Sequence, residues 1–404
     1  IQLNEVKISA ARAEMRTEVK AAVIKITKQD MEMIPTIGGE PDLAQYLQVI
    51  PGVVFTGDQG GQLYIRGGSP IQNKVLLDGM TIYSPFHSIG LFSVFDTDII
   101  RNTDVYTGGF SAEYGGRISS IMDIKTIDGN KKEFGGKLST NTFGSKLFVE
   151  GPLLGNEKSS FVFSGKTSYL DKSSELLYKY PILYFDERGL PYSYTDLYGK
   201  LSLHGNNGSK VNVFGFNFQD NVNYEGISEL NWNSKGIGSE FILIPGGSPV
   251  LIEGNFAYSS YNISLDEESS ALRKSGINGF NMGFDFTYFQ PNGKIKYGFD
   301  IHGFSTDFST YNSLNSEIEQ DENTSEFSGY INYQFNSTRW IIEPGLRVQK
   351  YTLGISPEPR IGVKYIASES MRLKLSSGLY SQNILSTTSD RDVVNLFTGI
   401  ISSP

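Results

Sequence analysis

Residues Asn281-Met282-Gly283-Phe284-Asp285-Phe286-Thr287-Tyr288 (NMGFDFTY) are followed, across Gln290-Pro291-Asn292-Gly293, by Lys294-Ile295-Lys296-Tyr297-Gly298-Phe299-Asp300-Ile301-His302 (KIKYGFDIH). In the first run Met282, Phe284, Phe286 and Tyr288 alternate with Asn281, Gly283, Asp285 and Thr287. In the second, Ile295, Tyr297, Phe299 and Ile301 alternate with Lys296, Gly298, Asp300 and His302. A period of two puts every apolar side chain on one face of an extended strand, and the Pro-Asn-Gly link folds the second strand back on the first. The pattern returns in Phe327, Ile331, Tyr333 and Phe335 against Glu326, Ser328, Asn332 and Gln334, and in Leu373 and Leu375 against Arg372 and Lys374.

Such strands suit a soluble sandwich as well as a membrane barrel, and connection lengths separate the two. Short links occur at 205–208, 245–247, 290–293, 336–338 and 367–370. Longer polar segments occur between them, at about 171–192, 220–232, 266–275 and 305–325. Alternation of short and long connections is expected of an outer-membrane barrel, with tight turns at the periplasmic end and loops outside. The spacing predicts about twelve strands between Phe134 and Tyr380.

Composition agrees. There is no run of 18 apolar residues, so no transmembrane helix is expected, a condition that leaves barrels open. Aromatic residues make up 13% of the 404-residue chain, and cysteine is absent, which removes disulfides and thiolate metal sites. A net charge of −9 excludes the basic footprint of a nucleic-acid binder. His87, His204 and His302 are scattered singly and are expected at surface or turn positions rather than as zinc ligands, and no cofactor is expected. No Ser-His-Asp arrangement or paired carboxylates stand out, so no enzyme is predicted. The acidic run Glu317-Ile318-Glu319-Gln320-Asp321-Glu322 reads as a solvated loop tip. The opening Ile1, without an initiator Met or a signal peptide, reads as the start of a processed chain.

The first 130 residues differ in character. Asp42-Leu43-Ala44-Gln45-Tyr46-Leu47-Gln48-Val49-Ile50 has helical spacing and stops at Pro51-Gly52. Short strands are predicted at Val53 to Phe55, Leu63 to Arg66, Val75 to Leu77, Thr103 to Tyr106 and Ile118 to Lys125. The glycine pair of Tyr64-Ile65-Arg66-Gly67-Gly68-Ser69-Pro70 is not a phosphate loop, because no helix and no lysine follow at the required spacing. It leads instead to a strand that turns at Asp78-Gly79.

These motifs carry a resemblance. Asp42 to Gly52 is similar to the plug helix and "PGV" turn of TonB-dependent outer-membrane receptors, Leu63 to Gly68 to their "IRG" strand, and Val75 to Gly79 to their "LDG" hairpin. Val105 to Arg117 (VYTGGFSAEYGGR) resembles the final plug signature, and Pro359-Arg360-Ile361-Gly362-Val363-Lys364-Tyr365 a barrel strand. The resemblance implies a mixed α/β plug domain (13–130) followed by the N-terminal part of an antiparallel transmembrane β-barrel (131–404). About twelve strands would then be present of an expected 22, since a twelve-stranded lumen leaves little room for such a plug. Leu3, Asn4, Glu5, Val6, Lys7 and Ile8, within a segment 1–12, resemble the lead ahead of plugs in Bacteroidetes-type receptors, overlapping the TonB-coupling box. An extended segment of this kind can join the sheet edge of a periplasmic partner.

Expected partners are therefore a TonB-ExbB-ExbD type complex, outer-membrane lipids and lipopolysaccharide and, in the Bacteroidetes setting, a surface lipoprotein. Arg66, Glu113 and Arg117 are expected to fasten plug to barrel. At Thr107 many members carry an arginine, so one charge contact of the family is missing here. Asp58, Gln59, Pro85, Phe86 and His87 are expected to line the floor of an external ligand cavity. The implied function is energy-coupled import of a ligand. The alternative is a non-transporting scaffold or seal in an outer-membrane assembly or secretion complex.

Overall fold

The computed structural model describes residues 19–20, 22–56, 62–153, 157–177, 190–224, 226–268, 270–311, 314, 316–352, 354–368, 371–386 and 400–402. The N-terminal unit is built on a five-stranded sheet of β1 (Val23–Thr27), β4 (Asn73–Leu77), β5 (Met80–Ile82), β6 (Ile100–Tyr106) and β7 (Ser120–Thr126). The strands lie in the order β1-β6-β7-β4-β5, and β4 runs parallel to β7. A two-stranded ladder, β2 (Val53–Thr56) with β3 (Gln62–Ile65), packs beside it. Thr27 closes β1 and starts helix α1 (Lys28–Glu32) through a capping box, its backbone N–H donating to Asp30 at 2.8 Å. Helix α2 (Leu43–Leu47) starts at Asp42, whose carboxylate accepts from the backbone of Ala44 and Ser93, and buries Leu43, Ala44 and Leu47. Sequence reading anticipates α2 and most of these strands, and misses β1 and α1.

Thirteen antiparallel strands form the second unit, each paired with its neighbours in sequence. They are β8 (Gly135–Thr140), β9 (Gly144–Pro152), β10 (Ser159–Ser168), β11 (Tyr192–His204), β12 (Lys210–Tyr224), β13 (Ser228–Leu243), β14 (Val250–Glu267), β15 (Ser270–Gln290), β16 (Gly293–Tyr311), β17 (Glu317–Asn336), β18 (Trp340–Lys350), β19 (Ile355–Ile366) and β20 (Arg372–Gly378). Helix α3 (Leu170–Leu177) interrupts the β10–β11 connection, and β21 (Ile384–Ser386) pairs with β22 (Ile400–Ser402) in a separate ladder that lies against β15–β17 of the wall. Among the described residues the edge strands β8 and β20 do not meet, so the sheet is an open wall around the N-terminal unit.

Two expectations change. The long polar segments at 220–232, 266–275 and 305–325 are mostly strand, with ladders running to Tyr224↔Ser228, Glu267↔Ser270 and Tyr311↔Glu317. Hydrophilic side chains do not stop a ladder whose backbone groups pair with each other, so alternate turns differ in strand extension more than in loop length. For the same reason the acidic run 317–322 lies in β17 and is not a loop tip.

Facing follows the alternation. Phe327, Ile331, Tyr333 and Phe335 are exposed on the outer face, while Glu326, Ser328, Asn332 and Gln334 between them are buried toward the interior. On β12 the inner face is itself aromatic. Phe214, Phe216 and Phe218, with Trp232, Tyr261 and Ile263 of the next strands, join one apolar core with Leu43, Leu47, Ile82 and Phe95 of the N-terminal unit.

Candidate functional site

The seam between the two units holds the charged chemistry of the chain, at three levels. At the end of the wall away from the short turns, the loop after β5 carries Pro85, Phe86 and His87. His87 is fully buried, with Nε2 2.8 Å from Asp196 of β11 and Nδ1 3.0 Å from Asp220 of β12. Its ring stacks on Tyr194 at 3.8 Å, and the backbone N–H of Ser88 donates to Asp220 at 2.8 Å. Two carboxylates facing both ring nitrogens favour the imidazolium. Burial opposes that charge, but Asp196 and Asp220 outweigh it and raise the His87 pKa above its ordinary value. Phe86 is also buried and packs edge-on against Phe55 at 4.8 Å. Phe86 and His87 therefore do not line an open ligand floor, because core and wall consume their contact surface; Pro85 is half-buried. Asp58 and Gln59 lie outside the described residues.

Midway along the seam is the β4–β5 hairpin. Asp78 and Gly79 have φ of +48° and +83°, the left-handed pair of a type I′ turn. The Asp78 carboxylate accepts from the backbone of Thr126 at 2.9 Å, from Tyr198 at 3.1 Å and from Lys200 of β11 at 3.1 Å. Burial alone would raise its pKa; the Lys200 and Lys125 ammoniums reverse this and hold it below the usual range. An Asp-Gly pair announces the turn in the sequence. Nothing local announces a lysine 122 residues away.

Near the short-turn end the loop after β6 meets the wall. Glu113 accepts from Lys296 of β16 at 2.6 Å and lies 3.5 Å from Lys20. Burial would raise its pKa, yet these two ammoniums keep it ionised and well below the usual carboxylate range. Arg347 of β18 pairs with Asp300 at 3.0 Å and donates to the carbonyls of Ala112 and Glu113. Arg360 of β19 donates to the carbonyls of Ser111 and Tyr114, both at 2.6 Å, and pairs with Glu358 at 2.5 Å. The glycines of this loop make the approach possible: a Cβ on Gly115 would fall 2.2 Å from Arg347 Nε, and one on Gly109 would fall 1.9 Å from Ser376 Oγ.

Of the expected fasteners, Glu113 crosses the seam and Arg66 does not. Arg66 follows β3 in the turn, with φ +49°, is exposed, and forms no ion pair among the described residues. Its position in a turn rather than a strand carries it away from the wall acids. Arg117 is buried and donates to the neighbouring Gly116 carbonyl at 2.7 Å, without an ion pair to a described carboxylate. Thr107 is buried, and its backbone N–H donates to Ala22 at 2.9 Å, continuing the β1–β6 ladder. The guanidiniums at the seam thus come from the wall, an arrangement that sequence reading misses. Pro359-Arg360 was legible as a barrel motif, but not as the partner of the loop at 110–114.

A cavity of about 820 Å³ opens along the seam between these levels, bordered by Lys74, Asp104 and Glu113 on one side and Asp285, Lys296 and Asp300 on the other. Burial pulls Lys74 down to about 8.

Residues 16–120 match the family model described as the TonB-dependent Receptor Plug Domain. The N-terminal unit is thus similar to the plug of a TonB-dependent receptor. The described chain as a whole has the fold of the outer-membrane receptors that carry such plugs. A ferric enterobactin receptor mutant from Pseudomonas aeruginosa superposes with a TM-score of 0.68 at 14% identity, over 94% of this chain and 63% of that one. The FrpB iron transporter from Neisseria meningitidis gives 0.67 at 15%, over 93% and 65%. A hemophore receptor double mutant of Serratia marcescens, solved with its hemophore and heme, gives 0.66 at 14%, over 90% and 64%. The chain thus spans under two thirds of the length of these receptors. No curated protein matches the sequence.

Proposed function

We propose that the chain is the plug and first part of the barrel of a TonB-dependent importer in the outer membrane, of the Bacteroidetes type, with about 22 strands when closed. One observation carries the reading: the plug fills the wall's interior, yet charged pairs such as Glu113–Lys296 and Asp78–Lys200 hold it beside an already open, charged cavity. A plug held by polar contacts can be shifted by a pull on its N-terminal side, since each pair exchanges for water when it parts. Residues 3–8 would take that pull from a TonB-ExbB-ExbD type complex by strand addition. Closure of the wall by further strands is what the backbone requires in hydrocarbon.

The test is deletion of residues 3–8 in the full-length protein, with growth measured on each candidate nutrient as sole source. Import predicts loss of growth on one of them at normal outer-membrane abundance. Unchanged growth on all of them, with disruption of a neighbouring membrane complex, would support the scaffold reading instead.

A further inference from the structure

We infer that the inner end of the seam cavity is a carboxylate-binding site, built by Lys74 of β4 and His302 of β16 and passed by the ligand during import. Strand geometry puts both residues there. On β4 the alternation sends Val75 and Leu77 into the apolar core and turns Lys74 and Leu76 to the opposite face, where they line the cavity. His302, expected at a surface or turn, lies on the inward face of β16 with Lys296 and Asp300. Lys74 and His302 are half-buried, and they face the cavity they line. The cavity begins among the short turns, where Gly293 and Asn336 line it, and reaches His302 nine residues further along β16, ~30 Å at about 3.4 Å per residue. Its volume of about 820 Å³ is within the range of small-molecule sites, roughly 300–1,000 Å³.

The fold makes little use of either group. The Lys74 ammonium has three donors, yet its hydrogen bond among the described residues is a long one, 3.3 Å to the Gly115 carbonyl, and it forms no ion pair with them. The His302 ring makes no hydrogen bond among the described residues. Its cross-strand neighbours turn elsewhere, Asn281 donating to the Gly79 carbonyl at 3.1 Å and Glu326 accepting from Gln349 at 2.9 Å. The charges that act on the ring are cations, those of Lys74, Arg347 and Arg117. Around Lys74 stand Arg117 and Arg347, with Asp300 and Glu326 opposing them, so three cations meet two carboxylates. Asp300 is taken by Arg347 at 3.0 Å, and Arg117 is buried with its Nε unpartnered. A carboxylate answers the excess positive charge and can accept from both the ammonium and an imidazole N–H. A phosphate dianion calls for clustered guanidinium groups, and neither arginine lines the cavity. That the carboxylate belongs to the imported ligand rests on the proposed function.

The absence of cysteine from the chain makes the test direct. In the purified full-length protein the thiol of His302→Cys is labelled with an anionic and with a cationic methanethiosulfonate, each rate normalised to that of free cysteine. With Lys74 in place the anionic reagent should be favoured about tenfold, the local enrichment that a charged cleft produces. Succinate, replacing chloride at equal ionic strength, should slow the anionic reagent, and succinamide should not. Lys74→Gln in the same background should abolish both effects and Lys74→Arg should keep them, with unchanged heat-modifiable mobility reporting an intact barrel. Equal rates for the two reagents, equal protection by succinamide, or a preference that survives Lys74→Gln would each overturn the site. The rate ratio and the protection decide the matter even where Lys74→Gln does not fold. Labelling does not depend on residues 3–8, so the two readings fail separately. A preference in a protein that imports nothing defeats the import reading and leaves the site, whereas equal rates in a protein that imports defeat the site alone. Import of an uncharged nutrient would overturn the assignment of the ligand as a carboxylate.

Discussion

Replacing Arg360 by alanine removes a short, two-point polar grip of the wall on the N-terminal unit. Arg360 is 6% exposed, donates to Ser111 and Tyr114 carbonyls at 2.6 Å, and sits 4.3 Å from the centre of the Tyr380 ring. Its partner Glu358 is 1% exposed and would be left with the hydrogen bond from the Ser381 hydroxyl. Breaking a buried pair in this way costs about 3–5 kcal/mol, because the surviving charge is stranded. Charge-assisted hydrogen bonds are worth roughly 1.5–3 kcal/mol each, so the two short bonds place about 3 kcal/mol on the seating of the 110–114 loop. At about 1.4 kcal/mol per decade this is on the order of a hundredfold in the loop's opening equilibrium. Hydrogen exchange in bilayers reads it directly: amides 110–116 should exchange on the order of a hundredfold faster, while those at the centre of β7 keep their rate. Arg360→Lys should fall between, since an ammonium lacks the planar fork. The double variant Arg360→Leu/Glu358→Leu should restore much of the stability and little of the loop protection. If Arg360→Ala leaves amides 110–116 unchanged in a folded barrel, the contacts do not hold the plug and the argument fails.

Because the carboxylates of Asp196 and Asp220 outweigh burial and raise the pKa of His87, its contribution should be fully present below about pH 6.5 and lost as pH rises through the higher folded value. Thermal melts of wild type and His87→Phe should therefore differ most at low pH and converge in mild alkali; a constant difference would show that packing, not charge, sets it. Phe284→Arg or Tyr297→Arg, on the outer aromatic face where Phe284 stacks on Phe299 at 5.3 Å, should cost about 2–4 kcal/mol near the bilayer midplane in refolding titrations. Harmless substitutions there would invert the assigned facing. Arg66→Ala should leave passive antibiotic leakage and stability unchanged, within about 0.5 kcal/mol, as for other exposed sites without partners. Increased leakage would return Arg66 to the seam.

Periodicity made the outer face of β15–β17 legible, because an apolar side chain at every second position leaves one arrangement that keeps polar groups off lipid. The same logic failed on β12, where Phe214, Phe216 and Phe218 point inward onto the plug core and both faces of the strand are partly apolar. It also failed at the strand ends, since polar residues continue a ladder as readily as they form a loop. Helix α2 was readable because Asp42 and Pro51 bracket it. The seam was readable only in part: Glu113 stood inside a motif, but Lys296, Lys200, Asp196 and Asp220 are joined to their partners by tertiary placement, over separations no local pattern records.

The fit of the 109–115 loop has an evolutionary consequence. Gly115 leaves the space that Arg347 fills, and Gly109 the space that Ser376 fills, so each glycine is tied to one wall residue. A side chain gained at either glycine requires a smaller or displaced residue on β18 or β20, and the two changes must be inherited together. An N-terminal unit lifted from one of the similar receptors would bring a loop shaped to a different wall. The N-terminal unit and the wall are therefore not interchangeable cassettes, and chimeras should succeed only where these wall positions travel with the loop.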